Sequence, residues 1–413
     1  MLKVTMRAAF AVTAVMSAVF AQPALAAKQQ NVYSFAAGND GGFPRGGVIA
    51  DAKGNLYGTT SSNGAGHSGV VYELVHQPDG SYSQTTLYAF TGGDDGGNPQ
   101  AGLLRDAKGH LFGTTYAGGA SGQGVVFELI PPKKGSDTWT QKVLWTFSGG
   151  ADGGQPTCSL INDNVGNLYG TTDWGGTGVV GTVFKLSPPA AGQKAWTQTV
   201  LYNFTGNADG GEPYGRMLLG ADGNLYGTTA GFGEFDYGNV FKLTANGTGG
   251  WDFSVLHSFA GGSDGEVPRD GLIQGPDGTL YGATAGFALS YGNVFSIQPD
   301  GSNYTVLWQV AGAQGFTGNG PWRALSMDAA GVLYGATYAD GMSANGEVFS
   351  LKPPKAGQGA WTAKVLYAFP GGTDGEMAYT DVLVDKKGHL FGTTTGVAGQ
   401  FGFFPGTVWR IKP

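Results

Sequence analysis

The segment Gly54-Asn55-Leu56-Tyr57-Gly58-Thr59-Thr60 returns as Gly109-His110-Leu111-Phe112-Gly113-Thr114-Thr115, and again with its first glycine at Gly166, Gly223, Gly278, Gly331 and Gly388. The seven copies are spaced by 55, 57, 57, 55, 53 and 57 residues. Self-similarity at one such period means stacked supersecondary units, and a unit of this length matches one four-stranded propeller blade, slightly longer than a kelch blade. Each unit reads as four strands. The first follows a proline, as at Gly102-Leu103-Leu104, and the second is the Leu-Tyr-Gly-Thr-Thr segment. The third is of the type Val126-Phe127-Glu128-Leu129, and the fourth is apolar and aromatic, as at Val143-Leu144-Trp145-Thr146-Phe147. Turn chemistry separates them: Asp51-Ala52-Lys53-Gly54 is a tight hairpin, Gly-rich loops join strands two and three, and Pro131-Pro132 or Asp79-Gly80 lead into strand four. No helical period is present.

The two chain ends complete each other. A fourth-strand pattern, Asn31-Val32-Tyr33-Ser34-Phe35, precedes the first full unit, whereas the last unit stops at its third strand, Val408-Trp409-Arg410-Ile411. An open solenoid needs polar caps, while pairing these fragments removes both exposed edges. The reading is an all-β, seven-bladed β-propeller closed by an N-terminal strand that completes the last blade.

Composition agrees. Of 413 residues 76 are Gly, a density that disfavours helix bundles through backbone entropy, and the glycines lack the three-residue period of collagen. Hydrophobic residues make up 41%, with 9 Trp, 18 Tyr and 24 Phe, which excludes a disordered chain. Residues 1–26 read as a secretory signal: Lys3 and Arg7 supply a basic start, Ala8 to Phe20 an apolar run, and Ala24-Leu25-Ala26 a peptidase site. Cleavage near Ala26 leaves one domain, residues 27–413, secreted or periplasmic in a bacterium, with no membrane insertion once the signal is removed. The formal charge of -7 then becomes more negative, and the scattered Lys and Arg form no basic stripe, so nucleic acid is not the partner. Cys158 is the single thiol, so the fold rests on packing rather than on an internal disulfide.

With its Gly-x-Leu-Tyr-Gly-Thr-Thr units the mature chain resembles, over nearly its whole length, the GloVer tandem-repeat proteins of bacteria, for which this unit is the hallmark. The resemblance implies a repeat class of exported or surface-attached proteins, sometimes bearing a C-terminal sorting segment; no such segment is read here. It implies no catalytic motif.

A residue repeated in every blade solves a problem common to every blade. The Asp-Gly pairs at Asp40, Asp95, Asp152, Asp209, Asp264 and Asp374, missing only before Pro321, read as turns in which the carboxylate caps backbone N–H groups. One carboxylate per loop is too few for calcium. The paired threonines read as scaffold hydroxyls, and His110 and His389 as hairpin residues rather than zinc ligands. No metal or other cofactor is expected.

Function on such a scaffold belongs where the copies diverge. In a propeller the inter-blade connections and the loops between strands two and three open on one face around the axis. Directly after each inter-blade proline stand Arg45, Gln100, Thr157, Tyr214, Arg269 and Trp322, with Tyr379 at the equivalent place after Ala378. The next two positions are mostly small, yet they include Arg216, Asp270, Arg323 and Asp381. Charges at a crowded mouth must pair with each other or meet a ligand, and both readings stand at this level. The other loops carry Tyr116, Asp173-Trp174, Phe232, Glu234-Phe235-Asp236-Tyr237, Phe287, Tyr291, Tyr338, Asp340 and Phe401-Gly402-Phe403-Phe404. Rings beside carboxylates and arginines are how proteins hold sugars, although some of these rings must pack between blades.

The leading expectation is a released binding module for a glycan or similar polar polymer. Arg45, Tyr214, Arg216, Arg269, Trp322 and Tyr379 would be its contacts, and Trp174, Tyr116 and Tyr338 its stacking platforms. An enzyme on the same face is the alternative. A polysaccharide lyase would use Arg269 or Arg323 against a uronate, with Tyr214 or Tyr379 exchanging protons; a glycoside hydrolase would use Asp270 and Asp381 as its carboxylate pair. A third reading is a scaffold for a cell-envelope protein.

Overall fold

A computed structural model describes residues 28–286, 292–310, 320–338, 345–355, 359–396, 398–399 and 402–413. The expected signal, Phe287, Tyr291, Asp340 and Phe401 lie outside the described residues, as does the side chain of Phe403. Seven four-stranded antiparallel sheets form the ring of a β-propeller. Blade one is Ile49–Ala50, Leu56–Thr60, Val70–His76 and Tyr82–Ala89 from axis to rim, and the next five blades repeat it. Blade seven is Leu383–Val384, Leu390–Thr394, Thr407–Lys412 and, from the other end of the chain, Lys28–Ser34. The closing pair is antiparallel from Lys28 opposite Lys412 to Ser34 opposite Thr407, so the ring closes as the two ends predicted. Among the described residues there are, beyond strands, two single turns of 3-10 helix, Gly262–Asp264 and Gly372–Asp374, and no helix long and apolar enough to cross a membrane.

The innermost strands are shorter than their sequences indicate. Only Leu104–Arg105 pairs in blade two, rather than a strand running from Gly102. The backbone just ahead of it is committed to the neighbouring blade: the Thr59 hydroxyl donates to the Ala101 carbonyl at 2.8 Å. The same bond recurs from Thr114 to Cys158, Thr171 to Gly215, Thr228 to Asp270, and Thr393 back to Gly46, where it spans the ring closure. The first threonine of each pair is therefore a staple between blades. The second stays within its own blade, accepting the third-strand N–H of Val70, Val125 or Thr182. Blades five and six have Ala283 and Ala336 at the staple position, so the junctions five–six and six–seven lack it.

Apolar packing follows the same geometry. The last ring of one blade meets the third-strand ring of the next edge-on: Phe90 on Phe127, Phe147 on Phe184, Phe204 on Phe241 and Phe259 on Phe295, with centroids 5.1 to 5.4 Å apart. Phe35 from the closing strand makes this contact with Tyr72 of blade one. All of these rings are buried; burying side chains of this size contributes roughly 1.5–3 kcal/mol each, with edge-to-face geometry adding about 0.5–1.5 kcal/mol.

The Asp-Gly loops are turns, as expected. Asp40 accepts the Ala36 and Gly38 N–H groups and the Tyr33 hydroxyl, and Asp209 does the same for Thr205, Asn207 and Tyr202. Gly41 has φ +87°, and a Cβ there would strike the Thr60 hydroxyl. His110 and His389 sit in their hairpins against Glu128 and Asp385.

Candidate functional site

The two variable loops of a blade are joined on one face. Backbone bridges link Gly42 to Ser62, Gly97 to Ala117, Gly154 to Trp174, Gly211 to Gly231 and Pro321 to Thr337, each tying an inter-blade loop to the strand-two-to-three loop that follows it. The divergent residues are thereby carried to the axis. A cavity of about 370 Å³ opens there, lined by Arg45, Gln100, Tyr116, Thr157, Asp173, Tyr214, Arg269, Trp322, Arg323, Tyr338, Tyr379 and Thr395. All six post-proline residues and Tyr379, their equivalent in blade seven, are among them.

One wall is a continuous arc of rings and cations. Tyr338 stacks on Trp322 with centroids 4.5 Å apart and planes 22° from parallel. The Arg269 guanidinium lies 4.4 Å from the centre of the Trp322 ring and 5.4 Å from that of Tyr214. Tyr379 meets both Trp322 and Tyr338 edge-on. Arg45 lies close enough to Tyr338 to favour its phenolate, although burial still pushes that phenol up overall. With a phenol and a guanidinium both packed on it, the Trp322 indole supports Arg269 rather than offering an open stacking surface. Tyr116 is different: its hydroxyl donates to Gln155 at 2.9 Å, and its ring has no aromatic partner among the described residues.

The floor is Arg323, which is buried and crosses the axis. Its Nη2 donates to the Gln100 carbonyl on the far side of the ring at 3.1 Å, its guanidinium lies 4.2 Å from the centre of the Tyr379 ring, and Asp270 faces it at 4.0 Å. Asp270 is buried below. Its Oδ1 accepts the N–H groups of Gly271 and Arg216, and its Oδ2 accepts that of Ala324, which is shared with Asp381 Oδ1. Burial and the neighbouring Asp381 push the Asp270 carboxyl up, which Arg323 partly offsets. These carboxylates bind blade six to blades five and seven, the two junctions without a threonine staple. Two of the charged exceptions thus have a structural cause: Asp270 and Asp381, the carboxylate pair of the hydrolase alternative, are engaged with backbone N–H groups, and neither lines the mouth.

Asp173 stands apart chemically. Its Oδ1 is buried with no partner, and burial together with the Glu212 charge pushes its carboxyl up to about 6 against the opposing pull of the neighbouring Tyr214 and Arg269. The Tyr214 phenol is pushed far up by burial and by Asp173 and Glu212, which disfavours it as a base. Nine buried side-chain polar atoms lack a partner among the described residues, and three of them, Asp173 Oδ1, Thr157 Oγ1 and Arg323 Nε, belong to the residues of this one cavity.

Among the contacts expected from sequence, Arg45, Tyr214, Arg269, Trp322, Tyr379, Tyr116 and Tyr338 line the mouth, joined by Arg323. Two do not. Arg216 lines the channel below Arg323, a second space of about 810 Å³ between the innermost strands, which Asp381 also lines. Trp174 is 48% exposed and outside the cavity. Residues missed as contacts share a simple signal: Asp173 and Thr395, like Tyr116 and Tyr338, directly follow the second threonine of their repeat. Trp174 is one residue further on, and in an extended segment the next side chain points the opposite way. The seven residues at the inter-blade position, four of those that follow the last threonine of a repeat, and Arg323 account for the whole lining.

Fold and site together define a seven-bladed propeller whose divergent residues converge on an axial cavity of mixed aromatic and cationic character. The chain belongs to the Gloeobacter/Verrucomicrobia repeat family, whose model matches residues 16–218, 133–286 and 216–413. No curated protein matches it in sequence. Among solved structures it is similar to a protein from Lactobacillus plantarum at 16% identity and TM-score 0.56, covering 87% of this chain and 99% of that one. It is also similar to the GH74 xyloglucanase from Xanthomonas campestris, at 14% identity and TM-score 0.51, with 92% of this chain and 55% of that one covered. An ancestral GH74 enzyme matches at 11% identity and TM-score 0.54, over 90% and 47% of the two chains. At these identities the likeness is one of fold.

Proposed function

We propose that the protein is an exported binding module that takes a carbohydrate at the axial mouth. The observation that carries this reading is the convergence of the seven divergent side chains at the equivalent inter-blade position, six after a proline and Tyr379 after Ala378, on one cavity. Repeated positions are held by packing and capping, so divergent side chains that converge on a shared space mark a part of each blade that does not serve the fold. The unpartnered polar atoms of Asp173, Thr157 and Arg323 support it, since a buried donor or acceptor without a partner costs about 1–3 kcal/mol and is satisfied by a hydroxyl-rich ligand. The exposed apolar faces of a sugar ring suit Tyr116 and Tyr379. A GH74 xyloglucanase shares the fold, and this agrees with a carbohydrate ligand without specifying one.

The test is calorimetric titration of the purified mature chain against a panel of polysaccharides, with Tyr116→Ala, Tyr379→Ala and Trp174→Ala compared. Binding lost in the first two and kept in the third is the expected result. Binding that survives both tyrosine changes, or that disappears with Trp174, moves the contact to the rim and ends the assignment. Assaying the same mixtures for new reducing ends or unsaturated products reports on catalysis.

A further inference from the structure

Of the six arginines in the described chain, three line the mouth (Arg45, Arg269 and Arg323) and two line the channel beneath it (Arg105 and Arg216), whereas no lysine lines either space. A chain of net charge -7 thus places a column of guanidiniums on its own axis. The carboxylates facing that column are Asp173 at the mouth, with Glu212 behind it, and Asp270 and Asp381 below, so five guanidiniums meet four carboxylates there. Asp270 and Asp381 are taken by the floor, where they flank Arg323 and hold the Ala324 N–H.

Two of the mouth arginines are left without an ion pair among the described residues. Arg45 is exposed, and its one hydrogen bond is a long one of 3.5 Å to Gln100. Arg269 is held between Tyr214 and Trp322 by their ring faces, with the Asp173 carboxyl near enough to feel its charge, and these ring contacts fix the guanidinium plane and leave its N–H fork unspent. Guanidiniums suit a planar carboxylate better than ammoniums do, because the fork can donate two parallel bonds to its two oxygens. A positive cleft in an acidic protein also concentrates anions at that one place.

Building on the carbohydrate reading above, we infer that the sugar taken at the mouth is acidic, a uronate-type residue whose ring carboxylate is held by Arg269 and Arg45. Arg323 closes the floor across the axis, so the sugar enters from the loop face and does not thread into the channel.

The experiment compares the full mature chain binding oligouronates, namely trimers of galacturonate, mannuronate and glucuronate, with the same trimers after reduction of each carboxyl to a hydroxymethyl group. At least one oligouronate is expected to bind, to weaken tenfold or more on carboxyl reduction and in Arg269→Gln, and to lose affinity as salt rises. Arg45→Gln, at an exposed residue, reports on charge without disturbing the ring stack and is expected to weaken binding severalfold. Equal affinity for the reduced trimer, or binding confined to neutral panel members, overturns the acidic assignment while leaving the carbohydrate reading intact. Absence of binding by every saccharide, acidic or neutral, overturns both.

Discussion

Asp173→Asn gives the most quantitative check on the mouth. The Asp173 carboxyl is raised from 3.8 to about 6, first by burial and then by the charge of Glu212. A carboxyl whose folded pKa lies above its unfolded value binds more protons in the folded state between the two, so stability falls as pH rises through that interval. Below about pH 4 both states are protonated and nothing is lost; above about pH 6 the full penalty is present. A shift of about two units corresponds to roughly 3 kcal/mol at neutral pH. Asparagine keeps the shape and carries no charge, so the variant escapes the penalty. Fixed-protonation effects of the substitution, such as an altered contact with Tyr214, appear equally at all pH values and cancel in the comparison. Integrating the titration from pH 4.5 to 7.5 predicts that the stability of the variant relative to the parent rises by about 2 kcal/mol over that range. Urea unfolding followed by tryptophan fluorescence at the two pH values measures it. A gap that stays constant within about 0.5 kcal/mol, or that shrinks with pH, means that Asp173 ionises as a solvated carboxylate and that the mouth does not desolvate it.

Two further outcomes follow from the floor and the staples. Thr228→Val removes the buried bond to the Asp270 carbonyl at near-constant volume and is expected to cost about 1–2 kcal/mol in urea unfolding, whereas no loss would show the inter-blade bond to be incidental. Arg323→Met leaves Asp270 buried beside Asp381 without its cation, for an expected loss of about 3–5 kcal/mol, most of it recovered in the Arg323→Met/Asp270→Asn double variant; purely additive losses would deny the coupling.

The architecture was legible because the repeat writes each blade in local terms: period-two strands, Asp-Gly turns with glycine at positive φ, and two half-blades at the chain ends. Where function sits was legible for a related reason. The residue after each inter-blade proline is free of those local duties, and its variation from Arg45 to Tyr379 marks the mouth before any coordinates are known. Sequence could not distinguish Tyr116, which faces the axis, from Trp174, which stands on the rim, because both are rings on glycine-rich loops; the difference is the alternation of side chains past the Thr-Thr pair. It could not assign Asp270 and Arg323 either. Their partners lie in blades that are distant along the chain, Arg323 reaching Gln100 over 223 residues, and only ring closure brings such groups together. Local periodicity therefore determined the blades, their number and the loops that vary. Tertiary structure alone decided which of the varying side chains share a cavity, which charges are spent on holding blades together, and which arginines on the axis have no ion-pair partner among the described residues, since each of these depends on distances between segments that no spacing along the chain encodes.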